Sequence, residues 1–369
     1  MHRKSTAESY KQRSKPDDNT KAYHVNAPIP KRDQMNSADA AKNALECVLE
    51  AKRNERLVIF CDDIRADVGE AFHKGALDLG MRTTFVFLET SQTVFRKEIP
   101  SEHRRLLTTE RPDIYVNLLR GIREETPFRI KLIHAEAGNH QTRLAHCPGI
   151  TMDMLTEGAL ALTANEHRQM QAFADKLIHE LSDAVKMEIT NPSGTNLSFN
   201  VENREFFTDT KIDWGTLKWM NLPTGEVIVA PVEDSLEGTL VCDSAMGGIG
   251  PLNTAYTITA KNGKIQKTHS PDALLKKHVD ESLATDDMAS VVGEFAFGIN
   301  LKARFIEEFL ETEKIKGTIH IAFGDNSDFP SGKNNSANHM DFLITKPTVK
   351  AHMKNGTSKT LLIDGIFKS

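Results

Sequence analysis

Hydrophobic and polar positions alternate in two different ways along the chain. From Asn36 to about residue 186, short uninterrupted apolar runs alternate with stretches of helical period. Ser37-Ala-Asp-Ala opens a helix predicted to continue through Lys52, with Ala41, Leu45, Val48 and Leu49 on one face. Leu57–Cys61, Thr83–Leu88, Asp113–Leu119 and Arg143–Cys147 read as strands, and Ala66–Leu79 reads as a helix. Strands without polar alternation, separated by helices, predict a parallel sheet covered on both faces. Asn165–Lys186 is a long amphipathic helix with Met170, Phe173, Leu177, Ile178, Leu181 and Val185 as its apolar stripe.

After residue 187 the pattern shortens. Met187-Glu-Ile-Thr, Leu197-Ser-Phe, Glu226-Val-Ile-Val, Gly238–Cys242, Tyr256–Ala260, Gly293–Phe297, Thr318–Ala322 and Phe342–Thr345 read as short strands. Asn262-Gly263 and Asn355-Gly356 are hairpin signals. The expected organisation is therefore a flexible arm over residues 1–33, an α/β domain with a mostly parallel sheet over 34–186, and a mostly antiparallel, barrel-like β domain over 187–369. The arm is rich in Lys, Arg, Ser, Asp and Pro and has no period.

Composition narrows the class. The 369 residues carry a formal net charge of -5, which argues against a general binder of nucleic acid or anionic membranes. No apolar run approaches the roughly 20 residues that span a bilayer, and the N-terminus lacks the apolar core of a signal peptide. Cys47, Cys61, Cys147 and Cys242 are widely spaced without a Cys-x-x-Cys pair, so they read as reduced residues, three of them in the core. The expected compartment is the cytoplasm. No Gly-x-Gly-x-x-Gly follows any strand, so a dinucleotide fingerprint is absent.

The candidate chemistry lies in the second half. Glu226, Glu294, His320, His339 and Asp341 each sit inside an apolar strand-like run bounded by glycine, proline or asparagine. A charge in an apolar interior costs several kcal/mol unless it is paired or metal-bound. Five such groups in one region suggest one shared partner, a divalent cation. His339 and Asp341 are two residues apart, so a strand points both to one face. Nitrogen plus oxygen ligation suits Zn, Co, Mn or Fe, and no thiolate competes for the site. Taken singly, each residue has a plainer reading: a strand histidine is more often a hydrogen-bonded core residue, and a glutamate after glycine usually faces solvent.

Other groups carry less. Gly138 breaks the rigidity that His134, Glu136 and His140 would need as helical ligands. His179-Glu180 lacks the second histidine of a His-Glu-x-x-His helix and reads as an exposed face. Gly247-Gly-Ile-Gly250-Pro251 lacks the following helix and lysine of a phosphate loop and reads as a turn. Asp62-Asp63 reads as an N-cap for the next helix.

Asn221-Leu-Pro-Thr-Gly-Glu226-Val, Gly293-Glu294-Phe-Ala, His320-Ile-Ala-Phe-Gly324 and Asn335-Ser-Ala-Asn-His339-Met-Asp341-Phe resemble, in order and spacing, the aminopeptidase T family of metallopeptidases. The likeness extends over roughly residues 187–366, with Ser193-Gly-Thr-Asn-Leu197 as a further matching piece. It implies an N-terminal α/β domain, a C-terminal β domain and a homodimer. It implies a dinuclear centre with Glu226, Glu294, His320, His339 and Asp341 as ligands, two ions per chain. Glu294 would bridge the metals or orient a water that attacks an amide carbonyl. The family places a tyrosine after the third ligand segment; here Asp325-Asn-Ser327-Asp-Phe329 puts Ser327 at that spacing. Loss of an oxyanion donor costs on the order of 100-fold or more in rate.

A second likeness points elsewhere. Val232–Asp243 resembles a segment of the related 2,5-dihydroxypyridine dioxygenases, which use mononuclear Fe(II). Those enzymes carry a histidine where this chain has Glu294 and lack the Pro-Thr-Gly-Glu carboxylate. Three functions therefore follow from the sequence: an aminopeptidase-like metal-dependent hydrolase acting on a peptide or small molecule, a ring-cleaving Fe(II) dioxygenase, or a metal-binding relative without peptidase activity.

Overall fold

The computed structural model describes residues 34–138, 142–213 and 219–368. The expected N-terminal arm and His140 lie outside them.

Strands β1 (Arg56–Asp62), β2 (Arg82–Leu88), β3 (Ile114–Leu118) and β4 (Arg143–His146) alternate with helices α1 (Ser37–Cys47), α2 (Ala66–Asp78), α3 (Arg104–Thr108) and α4 (Thr126–Ala137). All pairings among these strands are parallel. Successive residues of β1 show why the run is apolar throughout: Leu57, Ile59 and Cys61 pack in a core with α1 and α2, while Val58 and Phe60 pack in a second core with Leu107, Phe128 and Leu132. The expected cover on both faces is thus present. α1 is shorter than its pattern predicts, ending at Cys47.

Helices α5 (Met152–Thr156) and α6 (Ala164–Leu181) follow. α6 starts on a capping box between Thr163 and Glu166. It stops at Leu181 instead of Lys186, because Val185 and Met187 already belong to β5 (Ala184–Thr190). Next come β6 (Asn196–Asn200), β7 (Phe207–Thr208), β8 (Trp219–Asn221), β9 (Glu226–Val229), β10 (Glu237–Cys242), β11 (Ala245–Met246), β12 (Gly250–Pro251), β13 (Tyr256–Lys261) and β14 (Lys264–His269). The chain finishes with α7 (Ala273–Leu283), β15 (Val292–Gly298), α8 (Phe309–Thr312), β16 (Ile319–Gly324), β17 (His339–Ile344), β18 (Thr348–Met353), β19 (Ser358–Ile363) and β20 (Ile366–Phe367). Among the described residues no helix is long and apolar enough to cross a membrane.

These strands form three sheets. The parallel sheet has the order β2-β1-β3-β4-β8, so its last strand comes from beyond residue 187. The other two are antiparallel: β14-β13-β10-β6-β5-β18-β19-β20 and β12-β11-β17-β16-β15-β9-β7. A barrel-like closure does not form among the described residues. The two antiparallel sheets instead share one core, in which Met187, Ile189, Phe199, Ile258 and Val349 meet Val227, Phe295, Phe297, Ile321, Phe323 and Phe342. Both asparagine-glycine hairpins are formed. Asn262 and Gly263 take φ values of 50° and 73°, as a tight two-residue turn requires.

Candidate metal centre

Strand register brings the predicted residues together. In the seven-stranded sheet Glu226 pairs with Gly298, Ala296 with His320, Glu294 with Ala322, Ala322 with Asp341, and Gly324 with His339. Side chains alternate along a strand, so Glu226, Glu294, His320, His339 and Asp341 share the face opposite the phenylalanine core. The intervening positions on that face are Gly298, Ala296, Ala322 and Gly324, which leave the space between the polar groups unfilled. A β-bulge at Gly293 shifts the register between Val292 and Glu294 and aims the carboxylate at His320.

Glycine geometry builds the entrance to β9. Gly225 has φ of 141°, and an added Cβ would lie 2.5 Å from Asn300 Cβ. With the chain so turned, the Gly225 and Glu226 amides donate to Asp209 Oδ1 at 3.0 and 2.7 Å. This is the physical content of the Pro-Thr-Gly-Glu run.

The donor atoms converge closely. His320 Nε2 lies 3.2 Å from Glu294 Oε1, 3.5 Å from Glu226 Oε1 and 3.8 Å from Asp341 Oδ1. His339 Nε2 lies 3.1 Å from Glu294 Oε2 and 3.4 Å from Asp341 Oδ1. Metal–donor bonds of about 2.0–2.2 Å place neighbouring ligand atoms roughly 3.0–3.6 Å apart, so these separations fit a cation. Glu226 Oε1 supplies a further test: it is buried and has no hydrogen-bond partner. A buried acceptor without a donor costs about 1–3 kcal/mol or more, which a cation would relieve. Two adjacent groups could each hold an ion, Glu294–His339–Asp341 and Glu226–Glu313–His320.

Electrostatics point the same way. Desolvation lowers the pKa of both imidazoles, but Glu294 at His320 and Asp341 at His339 outweigh it, and both end above the usual histidine value. Burial would raise Glu294, yet hydrogen bonds to His320 and His339 hold it far below the usual carboxylate range. Glu226 is pushed well up, by burial first and by Asp209 and Glu294, against the pull of Lys314. His339 Nδ1 bonds the Asp325 carbonyl at 2.7 Å, which leaves Nε2 to face the carboxylates.

Three members of the cluster lay outside the sequence reading. Lys314, with a side chain 2% exposed, pairs with Glu226, with Glu313 Oε1 at 2.8 Å and with Asp209 Oδ2 at 3.6 Å. Glu313 is raised to about 8, by burial first, with Lys314 opposing. Their segment, Phe309-Leu-Glu-Thr-Glu-Lys-Ile, has the charge density of a solvated helix. The signal that it is not one is that a charged run immediately precedes the histidine strand between apolar neighbours.

A cavity of about 540 Å³ opens onto the cluster. Its far wall comes from α4 and β8, through Ile130, Ile133, His134 and Trp219, and its near wall from Phe207, Ile228 and Phe329. Ser327 lines the cavity and its Oγ donates to Asp325 at 3.0 Å.

The lesser candidates resolve differently. Glu136 is fully buried and accepts from Asn117 Nδ2 at 2.6 Å, so it forms no ligand set with His134. His179 is exposed. Residues 247–249 form a turn between β11 and β12, as expected, and the Gly247 amide donates to the Asp341 carbonyl at 3.0 Å. Asp62 stands at the N-cap position of a short helical turn, Asp63–Arg65, but its side chain makes no capping hydrogen bond. It is buried against Arg96, and its Oδ2 accepts from the Arg120 amide at 2.8 Å. All four cysteines are free, and Cys61, Cys147 and Cys242 are buried.

Fold and site together define a two-layer β structure beside a parallel sheet, with a histidine–carboxylate cluster suited to a divalent cation. The pattern of the thermophilic metalloprotease (M29) family matches residues 161–367, more than half of the chain, and the protein belongs to that family of metal-dependent peptidases. Among solved structures, wild-type AmpT from Thermus thermophilus is similar with a TM-score of 0.66 and 15% identity, over 90% of this chain and 99% of that one. The 2,5-dihydroxypyridine dioxygenase from Pseudomonas putida KT2440 is similar with a TM-score of 0.65 and 14% identity, over 90% of this chain and 97% of that one. At such identities the two likenesses show the fold alone. No curated protein sequence matches the chain.

Proposed function

We propose that the protein is an aminopeptidase-like hydrolase that cleaves an amide bond, with Glu226, Glu294, His320, His339 and Asp341 holding a divalent cation. The carrying observation is the convergence of both imidazoles on Glu294 and Asp341, beside an unpartnered Glu226 oxygen, at the base of a cavity. A cation bound there polarises a carbonyl and makes water nucleophilic near neutral pH. Glu294 lies with one oxygen beside each imidazole, placed to orient the attacking water and to take its proton. Phe207, Ile228 and Phe329 shield one side from solvent and receive apolar parts of the substrate. Ser327 stands at the rim in place of the phenol implied by the aminopeptidase resemblance. The same reading carries a cytoplasmic homodimer, checked by light scattering and cell fractionation.

Ring cleavage of a hydroxylated aromatic or pyridine is the second reading, favoured by the aromatic lining and by the dioxygenase likeness. Retention of carboxylates at both Glu226 and Glu294 weighs against it. Anaerobically purified protein, reconstituted separately with Zn, Co, Mn and Fe(II), is to be assayed on peptides and on dihydroxypyridines with oxygen uptake. Release of N-terminal residues without oxygen uptake is expected. Oxygen-dependent ring opening with no peptide cleavage would reverse the order of the two readings.

A further inference from the structure

We infer that the Lys314 ammonium takes the place of a second metal ion, so that the centre binds one divalent cation per chain instead of the pair implied by the aminopeptidase resemblance. The inference rests on the metal-site reading above and goes beyond it in fixing how the carboxylate cluster is neutralised. Of the two donor groups, one contains Glu226 and Glu313. Lys314 engages both of these carboxylates, through Glu226 Oε2 and through Glu313 Oε1 at 2.8 Å, and adds Asp209 at 3.6 Å. A cation entering that half would need the same oxygens and would sit against a buried positive charge.

The ammonium has no obvious retreat. Its side chain is 2% exposed. Its backbone is tied on both sides, with Lys314 N donating to the Glu311 carbonyl at 3.1 Å and the Lys314 carbonyl accepting from Asn300 N at 2.9 Å. Asp209 is anchored in turn by the Gly225 and Glu226 amides. The other half of the cluster has no lysine or arginine contact among the described ion pairs: Glu294, Asp341 and His339 meet only one another and His320. Glu226 joins the halves, one oxygen on Lys314 and the other, unpartnered, 3.5 Å from His320 Nε2. The single ion therefore belongs among His320, His339, Glu294 and Asp341, with Glu226 Oε1 at its edge.

The test is saturation of the metal-free full chain with Mn(II), read by elemental analysis and by electron paramagnetic resonance. One ion per chain with the spectrum of an isolated Mn(II) is expected. Two ions per chain with an exchange-coupled spectrum would overturn the inference and leave the metal-site reading standing. No bound ion would overturn both. Lys314→Met, checked for folding by thermal melting, is expected to take up a second equivalent. A folded variant that still saturates at one ion would contradict the role given to Lys314. If the variant does not fold, the spectrum of the unaltered chain decides.

Discussion

Two buried charged clusters in this molecule are resolved in opposite ways. At the end of β1, Asp62 and Glu125 face Arg96 and Arg120. Two anions meet two cations in bidentate contact, and the pKa of Glu125, which burial would raise, is brought down to about 2 by Arg120 and Arg96. Against one face of the seven-stranded sheet, Asp209, Glu226, Glu294, Glu313 and Asp341 have one lysine and two histidines between them, and one carboxylate oxygen is left without a donor. The first cluster is complete within the chain. The second has the charge and the vacant acceptor of a site that needs a cation from outside. Burial of ionisable groups is common to both, so burial alone does not mark function; an uncompensated charge does.

If this contrast is right, mutations in the two clusters should act on different observables. The largest effect is expected at Glu294→Ala and His339→Ala, where metal content should fall sharply and activity by more than about 100-fold, since even partners behind metal ligands cost 10–100-fold. Full activity in either variant would remove that residue from the site. Next, Arg96→Ala should leave Asp62 and Glu125 uncompensated and cost about 3–5 kcal/mol of stability by chemical denaturation, with metal stoichiometry unchanged in the folded fraction. Loss of metal binding in that variant would erase the distinction between the clusters.

pH should separate them as well. The folded pKa of Glu125 lies below its ordinary 4.5, so its stabilisation is present above that pH and is lost as pH falls from about 4.5 toward 2. At the other cluster, His320 and His339 are raised, and both must lose protons to bind a metal. Metal affinity should therefore rise with pH through and above the usual histidine range, with proton release measurable by calorimetry in two buffers. A pH-independent affinity would speak against imidazole ligation. The smallest effect is expected at Ser327→Tyr, which should raise peptide turnover while leaving metal content and stability unchanged. No rise would mean that a missing phenol is not what limits the site.

The sequence was most informative where chemistry and periodicity coincided. Glu226, Glu294, His320, His339 and Asp341 stood out because an ionisable group inside an apolar strand run is unusual, and register then brought them together. Asp209, Glu313 and Lys314 did not, because they lie outside regular strand patterns and join the cluster only through long-range packing. β8 was missed for a similar reason: Trp219–Asn221 is three residues long, and only its parallel pairing with β4 makes it a strand. The side chain of Asp62 does not cap the turn it precedes because arginines 34 and 58 residues further on take its carboxylate. The barrel-like expectation followed from counting short strands, and a count does not say whether a sheet closes or stacks on another.

Anomalous diffraction from crystals of the metal-loaded protein tests the central claim most directly. The account predicts a peak about 2.0–2.2 Å from Nε2 of both His320 and His339 and from an oxygen of Glu294 and of Asp341. A bound ion held elsewhere, with these four side chains making no contact to it, would contradict the account.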